Sequence, residues 1–143
     1  MAVARVSPEE ARKLMDEEAY VYVDVRSIPE FEAGHPEGAY NVPLLHARAG
    51  TMLPNPDFLA VMQRHFPRNA RLVVGCRSGG RSLQAATLLQ SVGYTQVVDQ
   101  RCGFEGSQDA SGRPEAGWRP LGLPVSRAAD AGRAYADLEV TQR

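Results

Sequence analysis

The amino-acid sequence predicts an α/β fold in which a mostly parallel sheet is covered by helices on both faces. Three observations predict it. Short β-branched, apolar runs alternate along the chain with segments of helical periodicity, the order of repeated strand-helix-strand units. The two strongest runs, residues 20–25 and 72–75, lack polar alternation and so read as strands buried on both faces, as parallel strands are. A length of 143 residues, 43% of them hydrophobic and 23% charged, suits one domain with one core.

Residues 3–6 form a short apolar strand ahead of Ser7-Pro8-Glu9-Glu10, where Ser7 caps a helix, Pro8 fits its first turn and Glu10 completes a capping box. The strand at 20–25 ends at Asp24, and 29–33 make a short helical turn. Two glycines, two prolines and Asn41 make 34–43 a loop around a brief strand. Within 54–66, Phe58, Leu59, Val61, Met62 and Phe66 recur at helical intervals, with Asn55 placed as the cap. After the strand at 72–75 come Cys76-Arg77-Ser78-Gly79-Gly80 and an Ala and Leu-rich helix over 81–92, stopped by Gly93. Residues 95–99 supply the last strand, and the Gly, Ser and Pro-rich stretch 103–117 reads as a loop or insertion. One domain over 1–125 is expected, followed by a tail, 126–143, that alternates Ala with charge and reads as a short helix or a frayed end.

Composition removes several function classes. Sixteen basic residues are offset by seventeen acidic ones spread along the chain, without the basic surplus that nucleic-acid binding needs. The N-terminus lacks the apolar core of a secretory signal and no span reaches membrane length, so a cytoplasmic location without a membrane partner is expected. Cys76 and Cys102 are the only cysteines, and a reducing compartment disfavours a disulfide between them. His35, His46 and His65 are dispersed without metal-ligand spacing, and no metal is expected. His35 reads as part of a turn.

The chemistry concentrates at Cys76, the first residue past an apolar strand and just ahead of a helix, where reactive groups of open parallel sheets lie. Residues 77–82 can curl so that successive backbone N–H groups point inward, a geometry that Gly79 and Gly80 permit. The helix starting near Arg81 or Ser82 adds its positive end, and Arg77 and Arg81 add two charges. Such surroundings favour thiolate over thiol, and the same donors suit an anionic head group. Arg77, Ser78, Gly79, Gly80, Arg81 and Ser82 are therefore the expected anion cradle around the nucleophile Cys76. Cys102 reads as a small packing residue, with a resolving thiol as the alternative.

These residues resemble the rhodanese family, whose active loop has six residues and begins with cysteine, as Cys76-Arg77-Ser78-Gly79-Gly80-Arg81 does. Residues 24–43, reading DVRSIPEFEAGHPEGAYNVP, are similar to the family's D-V-R, E-F, G-H, G-A and N-V-P signature, and Trp118 with Gly122-Leu123-Pro124 is similar to its closing W-x-x-x-G-L-P. The resemblance spans about residues 6–125. It implies a central five-stranded parallel sheet, Cys76 as a sulfur-bearing nucleophile, and Asp24 with Arg26 as a supporting pair near the site, either bracing the loop or taking part in chemistry. Departures are Pro36 in place of a β-branched residue, Cys102-Gly103 in place of Gly-Gly, and an insertion at 107–117 expected to reshape the pocket rim.

The activity the resemblance implies is transfer of sulfane sulfur from a donor such as thiosulfate, through a Cys76 persulfide, to a thiol, cyanide or protein acceptor, with no metal or organic cofactor. A sulfur-relay or regulatory module acting with a protein partner is the alternative from another class. Cysteine phosphatase or arsenate reductase chemistry is disfavoured by spacing: such loops resemble C-x5-R, whereas only four residues separate Cys76 from Arg81.

Overall fold

The computed structural model describes residues 3–128 and 130–139. Its frame is five strands, β1 (Ala4–Val6), β2 (Val21–Asp24), β3 (Tyr40–Asn41), β4 (Arg71–Gly75) and β5 (Gln96–Gln100). All neighbouring pairs are parallel, in the spatial order β1-β5-β4-β2-β3. Helices α1 (Pro8–Glu17), α2 (Ile28–Ala33), α3 (Phe58–His65) and α4 (Gly80–Ser91) make the connections, and α5 (Tyr135–Leu138) is a single turn near the end.

Period-two alternation of the strands divides the core between two faces. Val23, Val25, Leu72, Val74 and Val97 pack with Phe58, Val61 and Met62 of α3 and Ala85, Ala86 and Leu89 of α4. Tyr22, Val73 and half-buried Val98 face the other way, against Ala11 of α1, Phe31 of α2, Phe104 and Trp118. Burial on both faces explains why β2 and β4 read as unbroken apolar runs, each buried aliphatic side chain contributing about 1.5–3 kcal/mol. The capping box of α1 forms as expected: Ser7 Oγ accepts from the Glu10 N–H at 3.1 Å and a Glu10 carboxylate oxygen accepts from the Ser7 N–H at 2.8 Å.

Several local expectations are corrected. Asn55 does not cap α3, which starts later, at Phe58; its Oδ1 accepts from the Asp57 N–H and its Nδ2 donates to the Pro43 carbonyl and Tyr135 Oη, making a turn between Pro54 and Pro56. Residues Leu45–Arg48 and Thr51–Pro54 form a hairpin closed by Ala49 and Gly50, both at positive φ. His35 is no turn residue. It pairs through His35–Pro36 with Val125–Ser126 in a two-stranded antiparallel ribbon, stacks on Phe31 with ring centroids 3.6 Å apart, and donates from Nδ1 to the Phe31 carbonyl.

The inserted stretch is ordered as a second hairpin, Gly106–Gln108 with Pro114–Ala116, whose turn is held by Asp109 Oδ1 accepting from the Ser111 and Arg113 N–H groups. Of the C-terminal segment, residues 129 and 140–143 lie outside the described residues, as do 1–2 at the start. The described remainder docks on the edge of the sheet: Asn41 N–H donates to the Arg133 carbonyl, Arg133 Nη1 donates to the Gly38 carbonyl, and Tyr135 and Leu138 are buried in the core beside α3. Among the described residues no helix is long and apolar enough to cross a membrane.

Candidate active site

At the carboxyl end of β4 the chain has no spare room, because a Cβ on Gly75 would lie 1.8 Å from Tyr22 Oη. Cys76 follows, 2% exposed. Its carbonyl accepts from the Phe104 N–H at 2.8 Å and that of Arg77 from the Glu105 N–H at 3.0 Å, which ties the loop base to the stretch after β5. Gln100 shapes that stretch, with Oε1 accepting from the N–H groups of Cys102 and Gly103 and Nε2 donating to the Gly103 carbonyl. Above this base the chain reverses at Gly79, whose φ of 99° belongs to the left-handed region. The reversal turns the Gly79 N–H onto Cys76 Sγ at 3.0 Å.

Of the two glycines within the loop, the curl needs only Gly79. A Cβ there would sit 2.2 Å from the Arg101 carbonyl oxygen, whereas Gly80 has ordinary helical backbone and no atom within 4 Å of its would-be Cβ. With Gly79 as N-cap, α4 starts at Gly80, so the N–H groups of its first turn have no partner within the helix and its positive end faces the loop. Ser82 turns its side chain inward: buried, it donates from Oγ to Asp99 Oδ1 at 2.5 Å. Asp99 also accepts from Arg5 Nε at 2.7 Å, and burial pushes its carboxyl up while the bonds from Ser82 and Arg5 pull it back.

The arginines are more engaged than the sequence alone suggests. Arg81 donates both arms of its guanidinium to Glu30, Nη1 to Oε1 at 2.7 Å and Nη2 to Oε2 at 3.0 Å. Glu30 Oε1 also accepts from the Ser27 N–H and hydroxyl. Asp24 and Arg26 form a buried pair, with Arg26 Nη2 2.7 Å from Asp24 Oδ2 and 2.6 Å from the Gly34 carbonyl oxygen, and with its guanidinium 4.3 Å over the Phe104 ring. Arg119 is paired with Glu105. Exposed Arg77 makes no ion pair among the described residues. Arg26, Glu30, Arg77, Phe104, Glu105 and Arg119 line a cleft of about 220 Å³ beside the loop.

The sequence pattern of the Rhodanese-like domain family matches residues 7–110. The chain belongs to that family. Thiosulfate sulfurtransferase 16, chloroplastic, of Arabidopsis thaliana is 41% identical over 104 residues, covering 73% of this chain and 78% of the relative. Senescence-associated protein DIN1 of Raphanus sativus is 38% identical over 106 residues, covering 72% of this chain and 58% of the relative, so this chain spans just over half of that protein. Among solved structures, Rv0390 from M. tuberculosis superposes with a TM-score of 0.73 at 31% identity, over 90% of this chain and all of the other.

In this rhodanese-like domain the 107–117 insertion stands opposite the Cys76 loop: Ser107, Asp109 and Glu115 face Ser78, Gly79 and Gly80 across a cleft of about 700 Å³. Cys102 is a free, buried thiol pushed up by burial and by Glu115, with Arg101 and Ser107 opposing. Sequence reasoning missed Glu30, Asp99, Gln100 and Phe104. Only Glu30 had a local signal, the capping-type pattern Ser27-x-x-Glu30 and its place as the first residue of the E-F signature; the other three act through contacts that no short motif encodes.

The Glu30 pairing has a pH signature. Burial raises its carboxyl, but the bonds from Arg81 and Ser27 outweigh that and hold it at about 2, from 4.5 when free. A carboxylate depressed in the folded state stabilises above its unfolded value and ceases to as pH falls through the folded one. The urea midpoint is therefore expected to fall between about pH 4.5 and pH 2, and Glu30→Gln to flatten part of that fall. A midpoint profile identical in the two proteins would remove the pairing's contribution.

Proposed function

We propose that this domain is a sulfurtransferase in which Cys76 carries sulfane sulfur as a persulfide. The observation that carries the reading is the Gly79 N–H held 3.0 Å from Cys76 Sγ at the positive end of α4. That donor offsets negative charge on sulfur, whether on the thiolate or on a persulfide formed from it. The name of the 41% identical relative, a thiosulfate sulfurtransferase, points the same way.

The Cys76 thiolate attacks the outer sulfur of thiosulfate; an S–S bond forms as the bond to the sulfonate sulfur breaks, and sulfite leaves with its electron pair. A thiolate or cyanide then attacks the terminal sulfur of the persulfide, takes it as a new persulfide or thiocyanate, and returns Cys76 as thiolate. The acceptor thiol belongs to a small molecule or to a protein in a relay, and no step calls on a metal, nucleic acid or membrane. A reducing cytoplasm suits the reaction because both cysteines are free thiols. Arg77 and the first turn of α4 position the anionic donor. Asp24 and Arg26 brace the strand end next to the loop, since all five hydrogen bonds of their side chains are to each other or to the backbone.

Phosphate and arsenate chemistry fits less well, because the four-residue spacing to Arg81 gives a smaller loop and Glu30 already occupies the Arg81 guanidinium. Thiocyanate formation from thiosulfate and cyanide, followed in wild type and Cys76→Ser, tests the proposal. A loss of about 1,000-fold or more in Cys76→Ser is expected, with no hydrolysis of p-nitrophenyl phosphate by either protein. Retained thiocyanate formation in Cys76→Ser would remove Cys76 from the reaction.

A further inference from the structure

We infer that Glu30 is a specificity-determining residue that sets how much negative charge the sulfur donor brings to the cleft. The inference rests on the sulfurtransferase reading. Of the four arginines around the loop and its cleft, Arg26 is held by Asp24, Arg119 by Glu105 and Arg81 by Glu30, and Arg77 alone of these four makes no ion pair among the described residues. Glu30 matters most among these carboxylates, because it takes both arms of the only arginine that is paired within the six-residue loop itself. Its own position is fixed independently of Arg81 by the Ser27 N–H and hydroxyl at the start of α2.

Charge decides the consequence. A loop with Arg77 and Arg81 both unpaired would suit a dianion such as thiosulfate. With Arg81 neutralised, one unpaired cation faces the donor, and the cleft is tuned to sulfane donors with a single negative charge, of the thiosulfonate type R–SO2–S⁻. Their transfer step balances in the same way: the Cys76 thiolate bonds to the outer sulfur, the S–S bond to the sulfonyl group breaks, and a sulfinate leaves with the electron pair. Glu30 touches no reacting atom, so it is a positioning residue acting through Arg81.

The test compares kcat/KM for thiosulfate and for methanethiosulfonate in wild type, Glu30→Gln and Arg77→Gln. Glu30→Gln frees the Arg81 charge and is expected to shift the thiosulfate-to-thiosulfonate ratio about tenfold toward thiosulfate, an effect that shrinks in added salt. Arg77→Gln, at an exposed position whose loss leaves the fold intact, is expected to shift the ratio the opposite way. An unchanged ratio in folded Glu30→Gln overturns the inference, because a merely structural role would lower both donors together. Should that variant not fold, an unchanged ratio in Arg77→Gln overturns it instead. If wild type forms no persulfide with either donor, the sulfurtransferase reading fails and the inference fails with it; persulfide formed at an unshifted ratio refutes the inference alone.

Discussion

Gly79→Ala is expected to lose about 3 kcal/mol of stability and at least about 100-fold in sulfur transfer. Two penalties add in the folded state. A residue with a Cβ at a φ of 99° costs about 1–3 kcal/mol, and the new methyl would lie 2.2 Å from the Arg101 carbonyl oxygen, so backbone must move on one side or the other. Any such movement takes the Gly79 N–H off Cys76 Sγ, and losing one well-placed donor to a developing anion costs about 10²–10³ in rate. Gly80→Ala is the control. Its methyl meets no atom within 4 Å and its backbone is helical, so stability stays level or rises by up to about 1 kcal/mol. Thermal unfolding of the two variants checks the contrast, with Gly79→Ala lower by about 10 °C; equal midpoints would mean the loop tolerates a side chain at its turn.

Asp24→Ala is expected to be still more damaging to the fold. Asp24 is 1% exposed and Arg26 4%, and the carboxylate accepts from Arg26 Nε, Nη2 and backbone N–H. Removing it strands a guanidinium away from water, which costs about 3–5 kcal/mol against a total stability of about 5–15 kcal/mol. The urea midpoint should drop by about 2 M, given slopes of about 1–3 kcal/mol/M. The Gly34 carbonyl and the Phe104 ring still touch Arg26 in the variant, but neither carries the opposite charge. A drop under about 0.5 M would mean that solvent reaches Arg26 and that the pair does not brace the strand end.

Much of this architecture was legible because it depends on local pattern. Apolar runs without alternation mark β2 and β4, Ser7-Pro8-Glu9-Glu10 opens α1 as the capping rules require, and the order of strands and helices dictates a parallel sheet. Cys76 between β4 and α4 followed from the same pattern. Less legible were features whose meaning depends on distant neighbours. Gly79 and Gly80 are identical letters, and only the folded chain, with its φ of 99° at Gly79 and the Arg101 carbonyl against it, separates the turn-maker from its neighbour. Glu30 and Arg81 are 51 positions apart, so nothing in the sequence near Arg81 announces that its charge is taken. The hairpin at Ala49-Gly50 escapes a turn search because its two positive-φ positions are not the usual Asn-Gly or Asp-Gly. Tyr135 and Leu138 sit in an Ala-rich, charged stretch that looks marginal as a helix, and they are held by burial rather than by helix length.

The most direct measurement is the intact mass of wild type and Cys76→Ser after incubation with thiosulfate and removal of excess donor, without reductant. A gain of one sulfur, about 32 Da, in wild type and none in Cys76→Ser is expected, reversed on adding cyanide or a thiol. A wild-type protein that stays at its starting mass, or a Cys76→Ser protein that gains the same sulfur, would contradict a persulfide on Cys76.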